Sequence, residues 1–448
     1  MNLPAAFITK YQKLLADQAA AFFASFNQPP TAGFRINPLK AHLDLLNEDC
    51  THPISNLNYA YYGKIDGNGV DNLAGWVYSQ DPSAMNVAQY AAPQADEKVL
   101  DLCAAPGGKT TQLAALMGDQ GLLVANEINH SRARVLSSNV ERWGLTHTIV
   151  TNNAPAELAK IFPEFFDCIV VDAPCSGEGL FRKDPEAMTY WSVDYVQKCA
   201  QRQREILSEA VKMLRPGGRL IYSTCTFAPE EDEQNIDWLQ QQYGWKILPL
   251  KHFPGMDTGC PQWGNNNAAL KCAVRLFPHH YQGEGHFICA LKKPGVSDQL
   301  ASAAKLSVHS SSIDLKFWQE FADQSLNDVN FSNLLIQQKN LYNAAKKFNQ
   351  QPRPLKILRN GLRLGEFKKQ RFEPNHALVL ALQPQQFRHV VALTSDQFQH
   401  FIHGETLTIT NKAAFKGWVA VSFEERIFSW GKLVNNQLKN FYPKGLRQ

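Results

Sequence analysis

No stretch of this chain approaches the roughly 18 consecutive apolar residues that a membrane-crossing helix needs. The start, Met1-Asn-Leu-Pro-Ala-Ala-Phe-Ile-Thr-Lys10, has no basic leader and no cleavage-type site after a sustained apolar core, so it is not read as a secretory signal. Paired cysteine spacing is missing too. Nine cysteines, an odd number, are scattered without any C-x₂₋₄-C step. That argues against a disulfide framework, and it leaves Cys260, Cys272, His279, His280, His286 and Cys289 without the spacing of a zinc site, so no metal is expected. Free thiols suit a reducing compartment, and the expected location is the cytoplasm. There is no internal repeat.

Net charge is small, +4 over 448 residues, but it is unevenly divided. Residues 1–295 hold 25 basic and 30 acidic side chains, and residues 296–448 hold 20 and 11, so a net of −5 faces a net of +9. Between Lys339 and Arg371 there are ten Lys or Arg against one acid, Glu366, with Tyr342, Phe348 and Phe367 interleaved. Such a stretch suits a phosphate backbone with unstacked bases; a solvated charged face is the alternative.

What the chain does have is two cysteines fifty residues apart, each where a hydrophobic strand runs out. Phe166-Asp-Cys-Ile-Val-Val171 precedes Asp172-Ala-Pro-Cys-Ser-Gly-Glu-Gly179, and Arg219-Leu-Ile-Tyr222 precedes Ser223-Thr-Cys-Thr226. In an open α/β sheet the carboxyl ends of the strands line the ligand crevice, so Cys175, Cys225 and Asp172 are expected to share one cleft. Two thiols and a carboxylate together suggest thiol addition to a base. Upstream, Glu97-Lys-Val-Leu-Asp-Leu-Cys103 reads as a buried strand, and Ala104-Ala-Pro-Gly-Gly-Lys-Thr110 opens a helix running to about Met117. A strand, a small-residue turn and a helix N-terminus allow close backbone approach to a negatively charged ligand. Glu127, about twenty residues past the glycines, stands where a nucleotide fold puts an acid on ribose hydroxyls. A phosphate-binding P-loop would need glycine at 103, where cysteine stands.

Taken together, Leu100-Asp-Leu-Cys-Ala-Ala-Pro-Gly-Gly-Lys-Thr-Thr111, Asp172-Ala-Pro-Cys-Ser-Gly177 and Ser223-Thr-Cys225 resemble the first, fourth and sixth motifs of the RNA cytosine-5 methyltransferases, the Nol1/Nop2/Sun family. Arg182-Lys-Asp-Pro185, Phe34-Arg-Ile-Asn-Pro38 and the tail from Gly431 to Arg447 make the chain most similar to the RsmF-type 16S rRNA methyltransferases, over essentially its whole length. The resemblance implies a Rossmann-like class I methyltransferase with a parallel-type central sheet, an N-terminal α+β lobe and a C-terminal β-rich PUA-like module. The expected regions are an RNA-binding lobe over 1–93, the catalytic domain over 94–293, a linker and basic helical region over 294–374, and the PUA-like RNA-binding domain over 375–448. Arg35 and Asn37 would lie near the RNA path. Ala377-Leu-Val-Leu-Ala381 and Trp418-Val-Ala-Val421 would be strands of the C-terminal barrel.

The resemblance also implies the chemistry. S-adenosylmethionine would be the cofactor and ribosomal RNA the partner. Cys225 would be the nucleophile at carbon 6 of cytosine, Cys175 would assist release, and Asp172 would hydrogen-bond the base near N3. Cys103, Ala104, Ala105, Pro106, Gly107, Gly108, Lys109, Glu127, Arg132 and Asp172 would surround the cofactor. Lys109 is one candidate for lowering the thiol pKa. Where relatives carry an aspartate near the adenine ring this chain has Ala154, so Asn153 or a backbone group would take that contact. Cys50, Cys168, Cys199, Cys260, Cys272 and Cys289 read as packing residues. Two competing readings are a DNA cytosine-5 methyltransferase, which would use Cys175 as nucleophile, and a non-catalytic RNA-binding assembly factor with a dead methyltransferase shell.

Overall fold

A computed structural model describes residues 1–40, 43–296, 315–345, 355–409 and 415–448. Its centre is a sheet built on six strands: β1 Lys98–Asp101, β2 Leu122–Asn126, β3 Thr148–Thr151, β4 Phe166–Asp172, β5 Leu214–Thr224 and β6 His286–Lys292. They lie in the order β3-β2-β1-β4-β5-β6. The first five run parallel, and β6 is antiparallel to β5. Parallel strands covered on both faces must be apolar on both faces. That is why Val99, Leu100, Ile169, Val170, Val171, Leu220 and Ile221 are runs and not alternations, and all of them are fully buried. The strand order reverses between β1 and β4, and a ligand crevice opens at such a point.

Helix α1, Gly108–Leu116, follows β1, and helix α2, His130–Trp143, follows β2. The Asn129 side chain accepts from the Arg132 backbone N–H at 3.1 Å and so caps α2 at its start. Helix α3, Val193–Met213, crosses between β4 and β5. Two N-terminal helices, Ala5–Leu15 and Ala19–Ser25, put Phe7, Tyr11, Phe22 and Phe26 into one aromatic cluster with Phe181 and Phe227. The helical pattern read from that segment therefore packs directly against the chain that follows each of the two motif cysteines.

Other expectations are corrected. Arg35 and Asn37, expected near the RNA path, are both buried. Arg35 donates to the Gln80 side chain, to the Gly108 carbonyl at 2.7 Å and to Thr111 Oγ1, so it clamps the N-terminal lobe to α1. Asn37 donates to the carbonyls of Gly75 and Trp143. Within the expected basic helical region, the described residues form one helix, Lys316–Ser325, and then mostly strands. Leu334–Gln337, Asn340–Asn343, Leu362–Lys368 and Arg371–Pro374 make an antiparallel sheet, whose Leu341, Leu364 and Phe372 pack on Trp318 and Phe321. Ile357–Asn360 adds an antiparallel edge to β3.

The basic stretch is divided: Lys339, Lys356, Lys369 and Arg371 are exposed, while other side chains are tied into the fold. Arg359 is buried and paired with Glu141 at 3.1 Å, Lys339 and Lys368 both meet Glu366, and Phe367 is buried. Lys346, Lys347, Phe348 and Arg353 lie outside the described residues. Ala377–Ala381 is not a strand but part of a helix, His376–Ala381, capped by the Asn375 side chain. All of Ala377–Leu380 is buried, and periodicity cannot separate such a short apolar run from a strand. The last region is β-rich: a five-stranded sheet holds Val390–Ala392, Leu407–Thr408, Gly417–Phe423, Arg426–Val434 and Gln437–Asn440. No helix among the described residues is long and apolar enough to cross a membrane.

Candidate active site

Strands β4 and β5 are neighbours, with Asp172 opposite Ser223 at their carboxyl ends. The loops that leave them bring Cys175 Sγ and Cys225 Sγ to 2.9 Å. The residues just past the cysteines lock this arrangement: Ser176 Oγ and Thr226 Oγ1 share a hydrogen bond of 2.9 Å, and the Gly179 N–H donates to the Cys225 carbonyl at 3.0 Å. Two buried acids brace the pair. Glu231 accepts from the Ser176 backbone, the Ser176 hydroxyl and Gln203 of α3. Glu178 accepts from Tyr11, Trp191, Thr226 and the Phe227 backbone. Burial raises Glu231 to about 7, against the hydrogen bonds of Ser176 that lower it.

Asp172 stands beside the thiols with three partners. Lys109 Nζ donates to Oδ2 at 2.6 Å, and Ser223 Oγ donates to Oδ1 at 2.7 Å. His286 Nε2 lies 3.6 Å from Oδ1. Burial alone would raise Asp172, but Lys109 and His286 outweigh it and hold the carboxyl well below its ordinary range. In return, burial acts to lower Lys109, and Asp172, with a smaller share from Cys225, keeps the ammonium above its ordinary value. Cys175 is pushed well up, by the contact with Cys225 first, then by burial and Glu231.

Across the sheet switch lies the turn between β1 and α1. Gly107 has φ +116°, a conformation costly for any other residue, and it opens α1 without a side-chain cap. The first amides of α1 are therefore available to a ligand. Arg132 donates to the Ala105 carbonyl at 2.8 Å and Asn139 to that of Pro106 at 2.8 Å, which pins the turn. Ala104 and Ala105 are buried within it. Glu127, just past β2, is buried, accepts from the Asn129 N–H and lies 3.5 Å from Arg132. Cys103 is pushed far up by burial and by Asp101, Glu127 and Asp172, so its sulfur stays neutral.

Asn153 is engaged within the fold. Its amide N–H donates to Glu157 at 2.9 Å and its side-chain oxygen accepts from the Lys356 backbone at 3.0 Å, while Asn126 takes both its backbone groups. Asn153 thus ties β3 to the 355–360 segment. Glu157 also accepts from the Ala154 N–H at 3.1 Å, so its carboxylate stands beside Ala154.

Asp101 Oδ1, at the end of β1, is buried with no hydrogen-bond partner, while Oδ2 accepts from Thr110 at 2.6 Å. Burial pushes this carboxyl up to about 7. An unfolded aspartate ionises near about 3.9, so the folded chain holds a proton that the unfolded chain has lost between those values. Stability conferred below pH 4 is accordingly lost as pH rises towards 7. Asp101→Asn should flatten this loss by up to about 4 kcal/mol. Denaturant unfolding of both proteins at pH 4.5 and 7.5 measures it; parallel pH dependences would contradict the assignment.

His286, Ser223, Glu178 and Glu231 were not singled out from sequence as site residues. Glu178 and Ser223 lie inside the quoted motifs around Cys175 and Cys225, and those were the available signals. His286 reaches the site only because β6 doubles back beside β5, and no local pattern records this.

The sheet order, the glycine turn and the crevice at the switch point define a class I methyltransferase. Comparison with known proteins narrows the class. Residues 88–292 match the family model of the 16S rRNA methyltransferases RsmB/F, and residues 3–82, 316–382 and 388–448 match those of the RsmF N-terminal domain, first C-terminal domain and PUA domain. Ribosomal RNA small subunit methyltransferase F of Shewanella piezotolerans is 30% identical over 95% of this chain and 93% of its own. That of Vibrio cholerae is 30% identical over 100% and 98%. A methyltransferase homolog from Pyrococcus horikoshii is 28% identical with a TM-score of 0.57, over 64% of this chain and 94% of its own. The chain belongs to the RsmF family of 16S rRNA methyltransferases.

Proposed function

We propose that this protein transfers a methyl group from S-adenosylmethionine to carbon 5 of a cytosine in 16S ribosomal RNA, through a covalent bond between Cys225 and carbon 6. The observation that carries the reading is the pair of thiols 2.9 Å apart beside an ion-paired carboxylate. Two thiols in contact do not both ionise, and the contact and burial push Cys175 well up; Cys225 stands at the motif position that the family resemblance gives to the nucleophile. The Lys109 ammonium, near enough to interact with Cys225, favours that charge.

Carbon 5 of cytosine is a poor nucleophile. Addition of the Cys225 thiolate at carbon 6 converts the ring to an enamine and makes carbon 5 reactive, which splits one hard step into easier ones. Asp172 accepts from the cytosine edge near N3 and orients it. S-adenosylmethionine, when bound, supplies an electrophilic methyl group that the activated carbon 5 attacks. The turn from Cys103 to Lys109 would hold its methionine end, with the amides of α1 towards the carboxylate, and Glu127 would hold its ribose. Arg132 acts by fixing the turn and Glu127. After transfer a base removes the carbon 5 proton, and Cys175, beside the departing sulfur, assists release of Cys225. The target base must be unstacked to reach the thiols, and the PUA region is the natural partner for the flanking RNA.

The test is nucleoside analysis of small-subunit RNA after incubation with the protein and methyl-labelled S-adenosylmethionine. The expected product is 5-methylcytidine. Label in any other nucleoside, or none on naked RNA, assembly intermediates and finished subunits alike, contradicts the proposal.

A further inference from the structure

His286 has no step in the reaction proposed above, and its surroundings ask for one. It is 4% exposed, and its Nε2 is buried without a hydrogen-bond partner. Such orphaned polar atoms are uncommon and call for an explanation. The atom lies 3.6 Å from Asp172 Oδ1, too long for a hydrogen bond and short enough to become one on a small movement. The placement is built into the chain. Gly179 and Gly285 pack so closely that a Cβ on Gly179 would lie 2.6 Å from the Gly285 carbonyl oxygen, and this brings the start of β6 against the Cys175 loop. On the other side Thr224 pairs with Phe287, so the next residues outward are Cys225 and His286.

The reaction proposed above has a need that Asp172 alone does not meet. Addition of sulfur at carbon 6 sends electrons towards N3, and N3 must then take a proton. Asp172 is held ionised by Lys109, so it has no proton of its own to give. We propose that His286 is a positioning residue that stores this proton and passes it through Asp172 to N3 of the target cytosine.

The steps balance. As the Cys225 sulfur bonds to carbon 6, the C5–C6 π pair shifts to C4–C5 and the C4–N3 π pair moves to N3. The His286 imidazolium gives its proton to the Asp172 carboxylate, which passes it to N3 and is left ionised, with His286 neutral. Carbon 5 then takes the methyl group. A base removes the carbon 5 proton, that C–H pair re-forms the C5–C6 double bond, and the thiolate leaves with its own pair. The N3 proton returns through Asp172, and His286 is again an imidazolium. Among the charged and titratable groups of this corner, Asp172 on β4 lies 3.6 Å from His286, Lys109 on α1 pairs with the other oxygen of that carboxylate, and Cys225 follows Thr224, the partner of Phe287.

This inference rests on the cytosine-5 reading, and the experiment separates the two. Single-turnover methylation of small-subunit RNA by wild type and His286→Gln is followed from pH 5.5 to 9. Glutamine keeps a hydrogen-bonding group but carries no exchangeable charge. The expected loss in the variant is about 10²-fold at low pH, with KM for RNA and cofactor changed less than about twofold. The ratio of wild-type to variant rates should then fall with rising pH, by about tenfold per pH unit once the proton store is empty. A ratio that does not change with pH means a merely structural role and overturns the inference. Should the variant not fold, the wild type decides: a rate still rising tenfold per unit from pH 7 to 9 overturns it too. Absence of 5-methylcytidine with wild type removes the underlying reading instead.

Discussion

Cys225→Ala is expected to lose both methylation and any covalent RNA adduct, with a rate loss of at least about 10⁴-fold, as when a group that forms the covalent intermediate is removed. Cys175→Ala should behave differently. It keeps the nucleophile but lacks the thiol that helps it leave, so an RNA–protein adduct should accumulate on denaturing gels while turnover stops. The asymmetry follows from the roles proposed for the pair. The thiols touch at 2.9 Å, and burial and Glu231 add to that contact in keeping the proton on Cys175. Neither substitution should unfold the chain, since Ser176, Thr226, Glu178 and Glu231 hold the loops without the sulfurs. If Cys225→Ala still methylated RNA and Cys175→Ala did not form adduct, the thiol roles would be reversed, as in the DNA-type reading.

The largest expected loss of stability comes from Arg275→Met. Arg275 is fully buried, with Asp232 at 2.9 Å and Glu233 at 2.5 Å. It also donates to the Phe227 carbonyl at 3.2 Å. Its removal strands two buried carboxylates, and breaking a buried pair in this way costs about 3–5 kcal/mol. A domain has only about 5–15 kcal/mol of net stability, so denaturant midpoints should drop sharply. The site should suffer as well, because Asp232 accepts from Thr224 Oγ1 at 2.6 Å, one residue before Cys225. Arg275→Lys keeps the charge but not the two-pronged geometry and should fall between. Changing Arg275, Asp232 and Glu233 together to apolar residues of similar size should recover much of the loss. A midpoint for Arg275→Met within experimental error of wild type would contradict this description of the core.

The catalytic sheet was legible because its evidence is local. β4 and β5 are apolar runs that end in polar turns, and the crevice rule then puts Asp172, Cys175 and Cys225 together. The glycine turn and Glu127 could be read the same way. What was not legible depends on distant partners. Arg35 and Asn37 look like surface groups, yet carbonyls of Gly108, Gly75 and Trp143 give them buried homes. The acids Glu231, Asp232 and Glu233 would sit in water in most sequences, and here all three are fully buried against Ser176, Thr224 and Arg275. The strands beyond residue 330 escaped for a related reason. Lysine and arginine alternate there with leucine and phenylalanine, and their charge masked the two-residue period. Ala377–Ala381 failed through length alone, since a fully buried run of that size fits either element.

The most direct measurement uses wild-type protein and small-subunit RNA carrying 5-fluorocytosine. Fluorine at carbon 5 cannot leave as a proton, so the enzyme stays joined to its target after methyl transfer. Protease and nuclease digestion followed by mass spectrometry then identifies the joined residue. The account predicts a methylated fluorocytidine on the peptide that contains Cys225. The same nucleotide on the Cys175 peptide, or no cofactor-dependent adduct from RNA that the protein methylates in its unfluorinated form, would contradict it.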